Sequence, residues 1–129
     1  MVRAARAVLF ACLAAALAAA CSSSTDAAVR HWTVTWSAVV TGGAGQIDSL
    51  TWKEDAASYR STMPSVSWNW TAPLTGGQTA YLKAWGTASA PAAIRVAINA
   101  VATDGSTDSS ASTCSGTHVP CELGPRTLP

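Results

Sequence analysis

The sequence predicts an all-β chain, a small antiparallel sandwich, and three of its features carry that expectation. Apolar and polar residues alternate with a period of two along several short segments, the pattern of a strand with one buried face. Glycine and proline clusters separate those segments, as reversals of the chain require. After residue 21 no stretch spaces its apolar residues helically, so helical layers have nothing to be built from.

His31 opens the first alternating run. Trp32, Val34, Trp36, Ala38 and Val40 share one parity, with His31, Thr33, Thr35 and Ser37 on the other. Thr41-Gly42-Gly43-Ala44-Gly45 is a turn, because repeated glycine supplies the positive φ that a reversal uses. A second strand is expected around Ile47–Glu54, with Leu50 and Trp52 on one face, and Asp55–Pro64 has no period and is expected to be irregular. Val66, Trp68 and Trp70 then alternate with Ser67, Asn69 and Thr71 before Pro73 and Thr75-Gly76-Gly77 turn the chain. Thr79–Gly86 sets Leu82 and Ala84 on one face and Tyr81, Lys83 and Trp85 on the other. After a turn at Ser89-Ala90-Pro91, Ile94, Val96, Ile98 and Ala100 form the clearest inward row. Asp104-Gly105 is a hairpin dipeptide, and the serine-rich Ser106–Cys114 suits only an edge strand. Residues 31–129 therefore make an immunoglobulin-like sandwich of six to seven strands, ending in a loop closed by cysteines. Trp32, Trp36, Trp52, Trp68 and Trp70 all take inward parity, and their rings supply the bulk that an alanine- and serine-rich core lacks.

Residues 1–20 have a different character. Met1-Val2-Arg3-Ala4-Ala5-Arg6 is a short basic head, and the uncharged apolar stretch Ala7–Ala20 follows it. A cationic start, an apolar middle and small residues at the end form an export signal. The stretch is shorter than the roughly 20 apolar residues that a helix needs to span a bilayer. Ala18-Ala19-Ala20-Cys21 followed by Ser22-Ser23-Ser24 resembles a bacterial lipoprotein signal, which implies that Cys21 takes up lipid and begins the mature chain. The alternative is an ordinary cut after the Ala-x-Ala of Ala18–Ala20, giving a secreted soluble protein. In either case the chain leaves the cytoplasm, with residues 21–30 as a polar, flexible tether.

Charge excludes one class of partner. The formal charge of +1 becomes −1 once Arg3 and Arg6 leave with the signal, and no basic stripe remains for nucleic acid, which requires several phosphate contacts. Cys12 lies in the signal and Cys21 at the lipid site, which leaves Cys114 and Cys121 as a pair in an oxidising compartment. A disulfide between them is expected. The competing arrangement is a copper or zinc site from Cys114, His118 and Cys121, three ligand types on one loop. No cofactor is expected, and no catalytic residues stand out: the nucleophile-elbow pattern Gly-x-Ser-x-Gly is missing from the sequence. Asp48, Glu54 and Asp55 lack an evident cleft across which two carboxylates could work. Tyr81 and Trp85, on outward parity, are candidates to stack on a glycan or a small apolar ligand.

Several segments carry a further resemblance. Val34-Thr35-Trp36-Ser37-Ala38 with Thr41-Gly42, then Leu50-Thr51-Trp52, then Ser67-Trp68, then Tyr81-Leu82-Lys83-Ala84-Trp85, and last Ile94–Ala100 with Asp104-Gly105 occur in this order. This run, roughly residues 32–105, resembles the soluble domain of the MmpS family, small mycobacterial proteins and related lipoproteins that accompany RND-type lipid and siderophore exporters. The resemblance implies a non-enzymatic β-sandwich anchored in the bacterial cell envelope, which supports a transporter or another envelope protein.

Overall fold

The computed structural model describes residues 28–62 and 65–129. The expected export signal, Cys21 and most of the expected tether lie outside the described residues. Eight strands follow one another: β1 (His31–Thr41), β2 (Gly45–Glu54), β3 (Ala57–Ser61), β4 (Ser67–Thr75), β5 (Thr79–Ala88), β6 (Ala93–Ala102), β7 (Thr107–Cys114) and β8 (Gly116–Thr127). They form two antiparallel four-stranded sheets, in the orders β4-β1-β6-β7 and β3-β2-β5-β8. The all-β sandwich is thus present, with eight strands instead of six to seven.

The two additional strands come from segments with weak patterns. β3 occupies part of the stretch expected to be irregular and pairs with β2 through a two-residue turn, Glu54 lying opposite Ala57. Asp55 supplies the left-handed backbone there, at φ 56°, in place of glycine; aspartate is among the few side chains that tolerate it. The turn is fastened to β5, since Asp55 N–H donates to Thr79 O at 2.7 Å and Thr79 N–H to Asp55 Oδ1 at 3.3 Å. β8 replaces the expected C-terminal loop, and it contains Pro120 and Pro125. It lies at a sheet edge, where a residue without an N–H costs no ladder bond if its nitrogen faces away.

The core follows the alternation. Trp32, Val34, Trp36 and Ala38 of β1 and Ile94, Val96, Ile98 and Ala100 of β6 are buried, facing Ile47, Leu50 and Trp52 of β2 and Ala80, Leu82, Ala84 and Ala88 of β5. The buried Ile47 and Leu50 are three residues apart, which a regular strand cannot place on one face. A bulge between Ile47 and Ser49 resets the phase, as an extra residue does. Large rings come from β1 and small side chains from β5, and Gly86 lies close under Ile94 of the opposite sheet. A Cβ there would overlap Gln46 O and lie 2.7 Å from Ile94 Cδ1 of the opposite sheet, so β5 has room only for glycine at this point.

The two open sides of the sandwich are finished differently. At the β7–β8 side, Cys114 and Cys121 form a disulfide with their Cα atoms 5.6 Å apart, and Arg126 grips the Asp108 carboxylate through Nε, at 2.8 Å, and Nη2. At the β3–β4 side, aromatic side chains fill the gap. Trp52 lies at the centre, with the Tyr59 ring stacked at 5.4 Å and the rings of Trp68 and Trp70 tilted against it at 4.8 and 5.8 Å. Two of the five inward tryptophans are therefore less buried than their parity suggests. Trp68 is half-buried and Trp70 is 44% exposed, because β4 is an edge strand and the opposite edge, β3, is only five residues long.

The Asp108–Arg126 pair gives stability a pH dependence. Hydrogen bonding to Arg126 holds the Asp108 carboxyl below its ordinary value, and the same contact raises Arg126. A lowered carboxylate stabilises the fold fully above its unfolded value, about 4, and that contribution is lost as pH falls through the folded value. Stability plotted against pH for wild type and Asp108→Asn should converge at low pH, separate as pH rises from the lowered folded value to about pH 4, and keep a constant separation above it. Parallel curves throughout would show that the pair gives stability no pH dependence.

Candidate functional site

β5 presents Tyr81, Lys83 and Trp85 on the outer face of the β3-β2-β5-β8 sheet, as alternate residues of a strand whose Leu82, Ala84 and Gly86 face the core. Lys53 of β2 lies opposite Tyr81, and Glu122 and Pro120 of β8 lie opposite Lys83 and Trp85. The polar groups hold each other in place. Tyr81 O–H donates to Glu122 Oε1 at 2.9 Å, and Lys83 Nζ lies 3.7 Å from Glu122 Oε2. Lys53 Nζ sits 5.5 Å from the Tyr81 ring centre and Lys83 Nζ 4.9 Å from that of Trp85, within cation–π range.

Partial burial, reinforced by the hydrogen bond to Glu122 and its charge, pushes the Tyr81 phenol up to about 12. Tyr81 therefore remains a hydrogen-bond donor near neutral pH, unsuited to proton transfer, and its ring is fixed. Trp85 is 41% exposed, with the Lys83 ammonium against its ring. Four residues of strand separate the two rings by about 13 Å. The result is an outer sheet face with cations beside its rings, suited to stacking and to charge contacts.

The other candidate residues lie elsewhere. Cys121 is fully buried and bonded to Cys114, so neither sulfur is a free thiolate. The His118 side chain is 80% exposed and turns toward Asp48, with Nδ1 3.9 Å from Oδ2. The fold joins the two cysteines to each other and turns the histidine toward Asp48, so the three side chains do not converge. Among the described residues no group of three His, Cys, Asp or Glu side chains gathers as a metal site would. The acidic residues do not converge either. Asp48 accepts from Gln46 Nε2 at 2.9 Å, Asp55 caps Thr79, and Glu54 faces the aromatic edge.

That aromatic edge is what sequence reasoning missed. Trp70 and Trp52 Nε1–H both donate to Glu54 Oε1, at 2.5 and 3.4 Å. Tyr59, 42% exposed, completes the group from a strand whose sequence has no apolar stripe. The parity of Trp52 and Glu54 already places a carboxylate on the inner face; which strands lie at the sheet edges was the missing knowledge.

The chain matches no protein-family model, no curated protein and no solved structure.

Proposed function

We propose that this protein is a non-enzymatic, exported and lipid-anchored β-sandwich that holds another component of the bacterial cell envelope, as the MmpS resemblance implies for a transport accessory protein. Docking runs through the outer face around Trp85. The exposed Trp85 ring carries this reading: a large aromatic held out from a sheet, beside Lys83, has the character of residues that dominate interface energies. Ala18-Ala19-Ala20-Cys21 supports the anchor, and the polar stretch after Cys21 supplies reach from the membrane. A glycan or small apolar ligand stacked on Tyr81 and Trp85 is the second reading, favoured by two aromatic rings on the same outward parity of one strand.

The test has an anchor arm and a docking arm. Cys21→Ser should move the protein from the membrane fraction to the soluble extracytoplasmic fraction with its unfolding curve unchanged; a wild type already wholly soluble would sink the lipid anchor. A photocrosslinker at the half-buried neighbour Thr87, on the same outward parity as Trp85, should join the protein to a membrane transporter in intact cells, and Trp85→Ala should weaken that contact. A lost aromatic anchor costs about 2 kcal/mol, some 30-fold in affinity. Retention of wild type, and loss of Trp85→Ala, on isolated cell-wall polysaccharide with no crosslinked protein would select the glycan reading.

A further inference from the structure

We propose that the β3–β4 mouth of the sandwich is a second ligand site, which takes a free organic ammonium ion, of the trimethylammonium kind, against the rings of Trp70 and Tyr59 with Glu54 as counter-charge. The inference stands on a different face from the docking platform and does not depend on it.

Three observations converge. The first is the asymmetry of the two edges: one side is fastened by a disulfide and a bidentate ion pair, while the other leaves inner-face rings open to solvent. The short β3 leaves Trp70 and Tyr59 44% and 42% exposed, so both rings can be reached from solvent. The second is the density of π faces, with Tyr59, Trp68 and Trp70 all within 5.8 Å of Trp52. Rings so grouped attract cations through their negative faces, and most strongly those with weak hydration.

The third is the charge. Glu54 alone brings a charge to this group, and among the described residues no cation forms a salt bridge with it. Its Oε1 accepts both indole N–H groups, which fixes the carboxylate among the rings, while Oε2 has no hydrogen-bond partner among the described residues. Lys53 and Arg60, its nearest basic neighbours along β2 and β3, take the opposite parity and face the other side of the sheet. Negative charge and aromatic faces thus occur together without a cation of the protein's own.

The same placement argues against a phospholipid headgroup as the source. A choline headgroup brings a phosphate with it, and a phosphate needs a basic partner; the mouth offers only the Glu54 carboxylate. The fitting ligand is an ammonium compound without a neighbouring phosphate.

The experiment follows the indole N–H resonances of Trp52 and Trp70 in the whole folded domain while choline chloride is added. A parallel titration uses its neutral isostere dimethylbutanol, with a tert-butyl group in place of trimethylammonium. Choline should shift both resonances saturably and bind about tenfold more tightly than the alcohol, the preference that cation–π and carboxylate contacts together supply. Glu54→Gln keeps an oxygen to accept the indole protons but removes the charge, and should abolish the preference; Tyr59→Ala, at an exposed edge position, should weaken choline binding without disturbing the core. Trp85→Ala should change nothing, which separates this site from the docking platform. Equal binding of choline and alcohol, no saturable shift, or an unaltered preference in Glu54→Gln would overturn the proposal. Shifts seen with phosphatidylcholine vesicles and not with free choline would overturn the assignment to a free solute.

Discussion

Trp36→Ala should lower the unfolding free energy by about 3–5 kcal/mol, the range for removing a large buried aromatic side chain. Trp36 is fully buried on the inner face of β1, between Trp70 of β4 and Ile98 of β6 in the register. A central strand cannot move to fill the space, because both its neighbours are hydrogen-bonded to it, so the cavity persists. A domain of ordinary stability, about 5–15 kcal/mol, would lose a large share of its margin. The indole also brings a cost. Its Nε1–H has no hydrogen-bond partner among the described residues, and a buried donor left unpaired costs about 1–3 kcal/mol. Trp36→Phe removes that donor and keeps most of the ring, so it should lose less than about 2 kcal/mol, the recovered desolvation offsetting part of the cavity. Urea unfolding of the two variants checks both numbers. A loss below about 1 kcal/mol for the alanine variant would mean that the sheets collapse onto the gap.

The same physics explains which parts of the fold were legible. β1, β5 and β6 are central or well-paired strands with one dry face, and burial writes a period of two into such sequences. The outward placement of Tyr81, Lys83 and Trp85 was readable for that reason. β3 was not: Ala57-Ser58-Tyr59-Arg60-Ser61 is largely exposed, so burial leaves no stripe, and its turn uses Asp55 where glycine is the usual signal. β8 was hidden by Pro120 and Pro125, tolerated at a sheet edge and forbidding within a central strand. The bulge at Asp48 similarly puts Ile47 and Leu50 out of phase, and only pairing with β5 reveals their common face.

Trp70 illustrates a more general limit. Alternation assigns it to the inner face, and its register opposite Trp36 agrees, yet almost half of its surface meets solvent. Parity tells which way a side chain points; burial also needs something above it. What lies above depends on strand order, a non-local property settled by contacts between distant segments. The candidate edge site is built from β2, β3 and β4 in that way, whereas the outward row Tyr81, Lys83 and Trp85 arises from alternation along one strand.

Removing the disulfide should be the second most costly change. Cys114 closes β7 and Cys121 lies within β8, the edge strands of opposite sheets, so the bond fastens one sheet to the other where the rest of the contact is polar. Linking residues across so short a ring stabilises by about 2.5 kcal/mol in the chain-entropy model. The double variant Cys114→Ala with Cys121→Ala should lose about that amount in denaturant unfolding. Cys114→Ala with Cys121→Ser should lose more, since position 121 is fully buried and a hydroxyl is desolvated there with Ile94 O, 3.4 Å from the native sulfur, as its nearest acceptor; an incompletely satisfied polar group costs up to about 1–3 kcal/mol. The second comparison separates the two contributions: a purely entropic tether would make alanine and serine equivalent, while a core position distinguishes them. Mass spectrometry of protein prepared without reductant should find both cysteines oxidised and bonded to each other. Free thiols at both positions, accompanied by stoichiometric copper or zinc, would return the C-terminal segment to metal chemistry and remove the covalent fastening from the β7–β8 edge.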